Sequence, residues 1–238
     1  ITGRLKFGTE SNGGFKNITV SNCVFERSRG ICILTADGGL IEDILIDNIT
    51  MRDVTDTPFF IRLNARMRGP EGTPVGVCRR ITISNLNVYD VGGRPMFPEL
   101  GAGMVMSIPG HYIEDLTLSN IRIYCRGGTQ KEAINKEVPQ NIDMYPDPYR
   151  WHSMPAYGIY FRYVKGLRVN NVVLRYMNRD ERPAFILDDV HDANFFHIDA
   201  QNGIDAPQFI LKNVSNISIH EVNGVDDVKL GKVEKKEL

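Results

Sequence analysis

Residues Phe15 to Phe25 read FKNITVSNCVF, and versions of this stretch return along the chain. They are IEDILIDNITM at Ile41 to Met51, CRRITISNLNV at Cys78 to Val88, IEDLTLSNIRI at Ile113 to Ile123 and VKGLRVNNVVL at Val164 to Leu174. Each copy has an apolar/x/apolar strand, a polar residue, an Asn, and a second apolar/x/apolar strand. The Asn positions are Asn22, Asn48, Asn85, Asn120 and Asn171, and weaker copies follow around Ile198 and Ile219. An imperfect repeat of roughly 20 to 50 residues built on short strands indicates a solenoid.

A further strand and turn precede each copy: GRLKFGTESNGG, GICILTADGG, FFIRLNARMRG, GMVMSIPGH, YGIYFRYV, AFILDDV and APQFILKNV. The pattern therefore predicts about three short strands per coil, as in an all-β parallel β-helix, a single-stranded solenoid forming one domain over residues 1–238. Strands this short bury their apolar face only by stacking coil on coil. Stacking places the Asn residues above one another, where each amide is expected to serve the turn of the next coil. The N-x-S/T matches at Asn17, Asn48, Asn213 and Asn216 read as by-products of this pattern rather than as glycosylation sites.

Composition narrows the function classes. Apolar residues make up 42% and charged residues 24% of the 238, and the net charge is −1, which gives no electrostatic case for nucleic acid or an anionic membrane as partner. No apolar run approaches the roughly 18 residues that would span a bilayer as a helix. The four cysteines, Cys23, Cys32, Cys78 and Cys125, form no CxxC pair, so they read as buried apolar residues ahead of disulfides, and no metal or cofactor site is expected. The chain opens at Ile1 directly inside a strand pattern, and the expectation is that further N-terminal coils precede it.

Two stretches interrupt the coil: RMRGPEGTPVGV from Arg66 to Val77, and RGGTQKEAINKEVPQNIDMYPDPYRWHSMP from Arg126 to Pro155. The second carries Pro, Tyr145, Tyr149 and Trp151 and is expected to be an ordered loop draped over a neighbouring face. The charged tail Lys232 to Leu238 either blunts the open end of the solenoid or frays into solvent.

LKFGTESNGGFKNITVSNCVF, ICILTADGGLIEDILIDNITM, FFIRLNARMRGP, SIPGHYIEDLTLSNIRI and PAYGIYFRYVKG together resemble the later coils of glycoside hydrolase family 28, the polygalacturonases and rhamnogalacturonan hydrolases. The resemblance covers nearly the whole chain. It implies a right-handed parallel β-helix of the pectin-lyase-like class, a cleft along one sheet, and hydrolysis of pectic polysaccharide with inversion. It also implies export to an extracellular or periplasmic location. Inverting hydrolysis needs an acid and a base carboxyl group roughly 6.5–9.5 Å apart. The family draws them from an Asn-Thr-Asp stretch and an Asp-Asp pair upstream of the LKFGTES-like turn, so no catalytic residue is assigned here and the chain alone is expected to be inactive. Asp188-Asp189 lies in a late coil and reads as a turn. The family's Gly-His-Gly falls at Ile1-Thr2-Gly3-Arg4, which has no His, and its Arg-Ile-Lys clamp falls at Cys32-Ile33-Leu34, where both charges are gone.

Several residues remain as candidates for binding a pectic poly- or oligosaccharide. Lys6 alternates with inward Leu5 and Phe7 and so points off the sheet, where it serves either a uronate carboxylate or a solvated strand face. Glu10 and Asp37 occupy matching turns of adjacent coils, as a sugar-binding edge or as turn caps. Arg62 and Arg66, with Arg68, offer guanidinium forks for carboxylates or are simply solvated. His111 follows a tight turn, and Tyr145, Tyr149 and Trp151 either stack on sugar rings or pack the loop down. A non-catalytic carbohydrate-binding β-helix and a structural, adhesin-like β-helix are the competing readings. A polysaccharide lyase would need a calcium site, for which no acidic cluster is dense enough.

Overall fold

A computed structural model describes residues 3–92 and 100–238 of the chain. The protein is all-β, with parallel strands in one nearly closed sheet, an arrangement that fits a parallel β-helix. Short strands β1 (Leu5–Phe7), β3 (Ile31–Thr35), β5 (Phe59–Leu63) and β7 (Gly103–Met106) alternate with long ones, β2 (Phe15–Glu26), β4 (Leu40–Val54), β6 (Val77–Val91) and β8 (Ile113–Gly127). In the last repeats the two kinds fuse into β9 (Ile159–Asn178), β10 (Phe185–Ala200) and β11 (Phe209–Val222), and β12 (Val228–Glu237) ends the chain. Strand order runs β1-β3-β5-β7-β9 on one side and β9-β8-β6-β4-β2 on the other, so β9 joins the two runs.

The register stacks like on like. Phe7, Ile33, Ile61, Val105, Phe161, Leu187 and Leu211 share one inward column of the short-strand run. Ile18, Ile44, Ile81, Leu116, Leu167, Ala193 and Ile217 share another in the long-strand run. The Ile, Leu, Val and Phe side chains among them each contribute roughly 1.5–3 kcal/mol when fully buried. The Phe185 and Phe209 rings stack at 4.9 Å. At Gly103 a Cβ would meet the Phe59 ring at 2.4 Å, so the ring occupies the space a side chain would need.

The long strands bend at left-handed residues set five apart: Asn17, Asn22 and Arg27; Asp43, Asn48 and Asp53; Arg80, Asn85 and Asp90. All the Asn of the opening repeat take φ near +50 to +59°, the region that short polar side chains tolerate best. Their amides form a ladder that differs in its partners from the expected one. Asn48 Nδ2 donates to Asn22 Oδ1 at 2.6 Å, Asn120 Nδ2 to Asn85 Oδ1 at 3.1 Å, and Asn171 Nδ2 to Asn120 Oδ1 at 2.9 Å. Asn85 Nδ2 turns instead to Asp47 Oδ1, 2.7 Å away. The ladder thus links side chain to side chain, because each left-handed bend throws its amide outward in line with the next.

The long insertion lies across the outward face of the short-strand run. Its Val138, Trp151 and Met154, with Ala156 just after it, pack on Cys32, Phe60, Met104, Tyr160, Ile186 and Ile210, forming an apolar cluster outside the main core. Arg62 Nη2 bonds Gln140 O at 2.5 Å, Arg162 Nη1 bonds Val138 O at 2.7 Å and Asn64 Nδ2 bonds Met144 O at 2.7 Å, which pins the insertion down along its length. At the far end β12 pairs antiparallel with β11, so the charged tail is an ordered strand. Its Lys229, Lys232, Lys235 and Lys236 blunt an edge that would otherwise invite further pairing. All four cysteines are free thiols, and Cys32, Cys78 and Cys125 are buried.

Candidate substrate-binding edge

Four of the predicted residues converge at the first repeats. Lys6 stands on the outward side of β1, and its neighbour in register is Cys32. Its Nζ donates to Tyr145 Oη at 2.6 Å and lies 5.0 Å from the centroid of that ring. The Arg66 guanidinium sits 5.5 Å from the same ring. Tyr145 is 37% exposed and Lys6 is exposed beside it, whereas the Arg66 side chain is buried at 3%. Lys6 holds the phenol below its ordinary value.

Asp37 explains how Arg66 is held there. Its carboxylate is 1% exposed and accepts Arg66 Nε at 2.9 Å, Arg66 Nη2 in the second arm of a bidentate pair, and the backbone N–H of Arg68 at 3.0 Å. These bonds, first those from Arg66, hold the Asp37 carboxyl below its ordinary value. Arg66 Nη2 also reaches Glu10 Oε1 at 3.1 Å, and the Glu10 side chain is exposed. Asp37 is therefore the buried anchor, Arg66 the bridge, and Glu10 with Lys6 and Tyr145 the surface.

The other candidates lie elsewhere. Arg62 points off the sheet as its strand position predicts, but it is buried at 1% exposure under the insertion. Its donors go to carbonyls, Ser107 O and Gln140 O at 2.5 Å, and burial, then the nearby Arg162 charge, push its guanidinium down from the ordinary value. Trp151 is 5% exposed, packs edge-on against Phe60 at 5.5 Å and donates Nε1–H to Pro139 O at 2.9 Å. Both hold the insertion in place, and neither presents its polar group to solvent. His111 is exposed in a tight turn whose backbone N–H bonds Ile108 O at 3.1 Å, and it stands apart from the Lys6 group.

An ion-pair network beside this edge has no counterpart in the sequence reading. Arg4 and Arg29 both bond Asp56 Oδ2, at 2.9 and 2.8 Å, and Arg29 Nη2 bonds Asp147 Oδ1 at 2.8 Å. Arg4, at the position where the resemblance places a Gly-His-Gly motif, is thus paired with carboxylates, while Ile1 and Thr2 lie outside the described residues. Asp147 comes from the insertion, 118 residues from Arg29, so no local pattern announces the contact. Comparison with protein-family models, with curated proteins and with solved structures finds no match to this chain.

Proposed function

We propose that the chain is a right-handed parallel β-helix of the family 28 type that binds acidic pectic polysaccharide and serves its inverting hydrolysis outside the cytoplasm. In this reading the chain supplies substrate contacts, not the acid and base carboxyl groups. The observation that carries it is the partly exposed ring of Tyr145 with the exposed Lys6 ammonium beside it, backed by the buried Arg66. Uronate sugars have an apolar ring face that stacks on an aromatic and a carboxylate that seeks a cation, and this edge offers both.

Calorimetric titration of oligogalacturonate against a neutral oligosaccharide of equal length tests the proposal. The acidic sugar should bind more tightly, and Lys6→Ala should weaken it about tenfold, the effect of one charge-assisted hydrogen bond of roughly 1.5 kcal/mol. Equal affinity for the neutral sugar would sink it. A non-catalytic carbohydrate-binding role is favoured by a separate observation, the insertion lying over the outward sheet face where the resemblance expects a cleft. Both readings expect no release of reducing sugar from pectin by this chain alone, and such release would overturn both.

A further inference from the structure

A second group of polar side chains lies at the other end of the stack, around β10 and β11. His191 and Ser215 are register partners on these two parallel strands, and Lys232 of β12 pairs across from Ser215. His191 Nδ1 is 2.7 Å from Ser215 Oγ, and His191 Nε2 is 3.0 Å from Asp189 Oδ1. Tyr112 Oη donates to the same carboxylate oxygen at 2.8 Å. A carboxylate only accepts, so in the neutral ring Nε2 carries the hydrogen and Nδ1 turns its lone pair to the serine hydroxyl. Burial and then the Asp189 carboxylate push the Tyr112 phenol up to about 12, which keeps it a donor.

The arrangement is both built and reachable. Asp189 takes the left-handed conformation at φ 58°, as do Tyr163 and Asn213 at the matching bends. The bend directs its carboxylate back toward His191, two residues on. The His191 and Asp189 side chains are each 29% exposed, and an open groove of about 300 Å³ lined by Asp189, His191, Asn213, Ser215, Lys232 and Val233 passes over them. Nucleophile to base and base to orienting carboxylate are both within hydrogen-bond reach, the relation that defines an activated serine whatever the order of residues in the chain.

We propose that Ser215, His191 and Asp189 form a nucleophilic site that hydrolyses small acyl esters. Ser215 Oγ attacks the ester carbonyl carbon while its proton passes to His191 Nδ1, and Asp189 stabilises the imidazolium through Nε2–H. The carbonyl π electrons move onto oxygen, and the donors that offset the charge are the Lys232 ammonium and the Asn213 amide, which line the groove together with the carboxylate of Glu234. Collapse expels the alcohol, which takes the proton from Nδ1 and leaves an acyl group on Ser215. Water then attacks the acyl carbon with His191 again as base, releasing the carboxylic acid and restoring the hydroxyl. Ser215 and His191 are the catalytic residues, and Asp189 and Tyr112 position them. A groove this small suits a short acyl group.

The test is covalent labelling of the whole chain with a fluorophosphonate, read by peptide mass, alongside release of 4-nitrophenol from 4-nitrophenyl acetate. The expected result is an adduct on Ser215, a labelling rate at least about 100-fold lower in His191→Gln, and unchanged labelling in Ser218→Ala. Ser218 lies on the same strand and bonds Asn194 instead. Asp189→Asn, which keeps the left-handed preference, should lower kcat for the ester while KM stays. An adduct on Ser215 forming no faster than on Ser218, or equally fast in His191→Gln, overturns the site. An adduct without ester turnover above that of Ser215→Ala overturns the assignment to ester hydrolysis.

Discussion

Replacing Trp151 with alanine should cost about 3–5 kcal/mol, and the loss should appear first where the insertion docks. An indole of this size buries about 200 Å², which at about 25 cal/mol per Å² gives an upper bound near 5 kcal/mol. Measured Trp-to-Ala truncations in cores fall at about 3–5 kcal/mol. The indole also satisfies Pro139 O and fills the space between Phe60 and Arg62, so the mutant leaves a carbonyl and a guanidinium face without their partner. The thiols separate local opening from global unfolding. Cys32 lies under the insertion, its thiol pushed up to about 11 by burial, whereas Cys78 and Cys125 lie in the inner core, pushed up to about 12. Native-state alkylation read by mass should therefore speed up at Cys32 while Cys78 and Cys125 stay slow, and urea unfolding followed by far-ultraviolet circular dichroism gives the total cost. A loss below about 1 kcal/mol with Cys32 labelling unchanged would refute the view that Trp151 holds the insertion down.

Two shorter predictions concern the scaffold. Asn85→Ala should destabilise by about 1–3 kcal/mol, combining a left-handed residue that alanine tolerates poorly with the loss of bonds to Asp47 and Asn120, and Asn85→Gly should recover part of it in urea titrations. Hydrogen bonds from Lys16, then Arg79 and Arg80, hold the Glu42 carboxyl at about 2 against an ordinary 4.5. A folded value below the unfolded one means that this stabilisation is fully present above about pH 4.5 and drains away as pH falls toward 2. Glu42→Gln should flatten the acid limb of the melting-temperature profile between those values, and an unaltered limb would show that the three cations do not act through Glu42.

How far the sequence carries is visible residue by residue. The Asn ladder was legible because it repeats, with the same offset, in a pattern that only stacking explains. Lys6, Glu10 and Asp37 were legible as one edge because they fall on matching strands and turns, whereas Arg66 read with Arg62 and joins them only through its ion pairs to Asp37 and Glu10. Arg62 shows where that logic stops: its outward direction follows from alternation, but its burial depends on a loop 78 residues away. The Ser215, His191 and Asp189 arrangement went unread, since Ser215 and His191 lie 24 residues apart in the two weakest copies of the repeat. A column-by-column alignment would have found it, because Lys165, His191 and Ser215 occupy one register position.

The same alignment also carries a signal for the covered face. A sheet that shows one face to water alternates apolar and polar residues, whereas strands buried on both sides read as unbroken apolar runs. Outward from the short strands stand Lys6, Cys32, Phe60, Met104, Tyr160, Ile186 and Ile210, one charged residue followed by apolar or aromatic ones. A long open groove for a charged polymer along this column would leave that surface wet at a cost of roughly 25 cal/mol per Å². The insertion supplies the cover, and its Val138, Trp151 and Met154 match the column in chemistry. The exposed chemistry therefore lies off the covered column: at Lys6 and Tyr145 where the column begins, and at His191 and Ser215, past the left-handed bends at Asp189 and Asn213 and in register with Lys165 and Glu114 of the long-strand run.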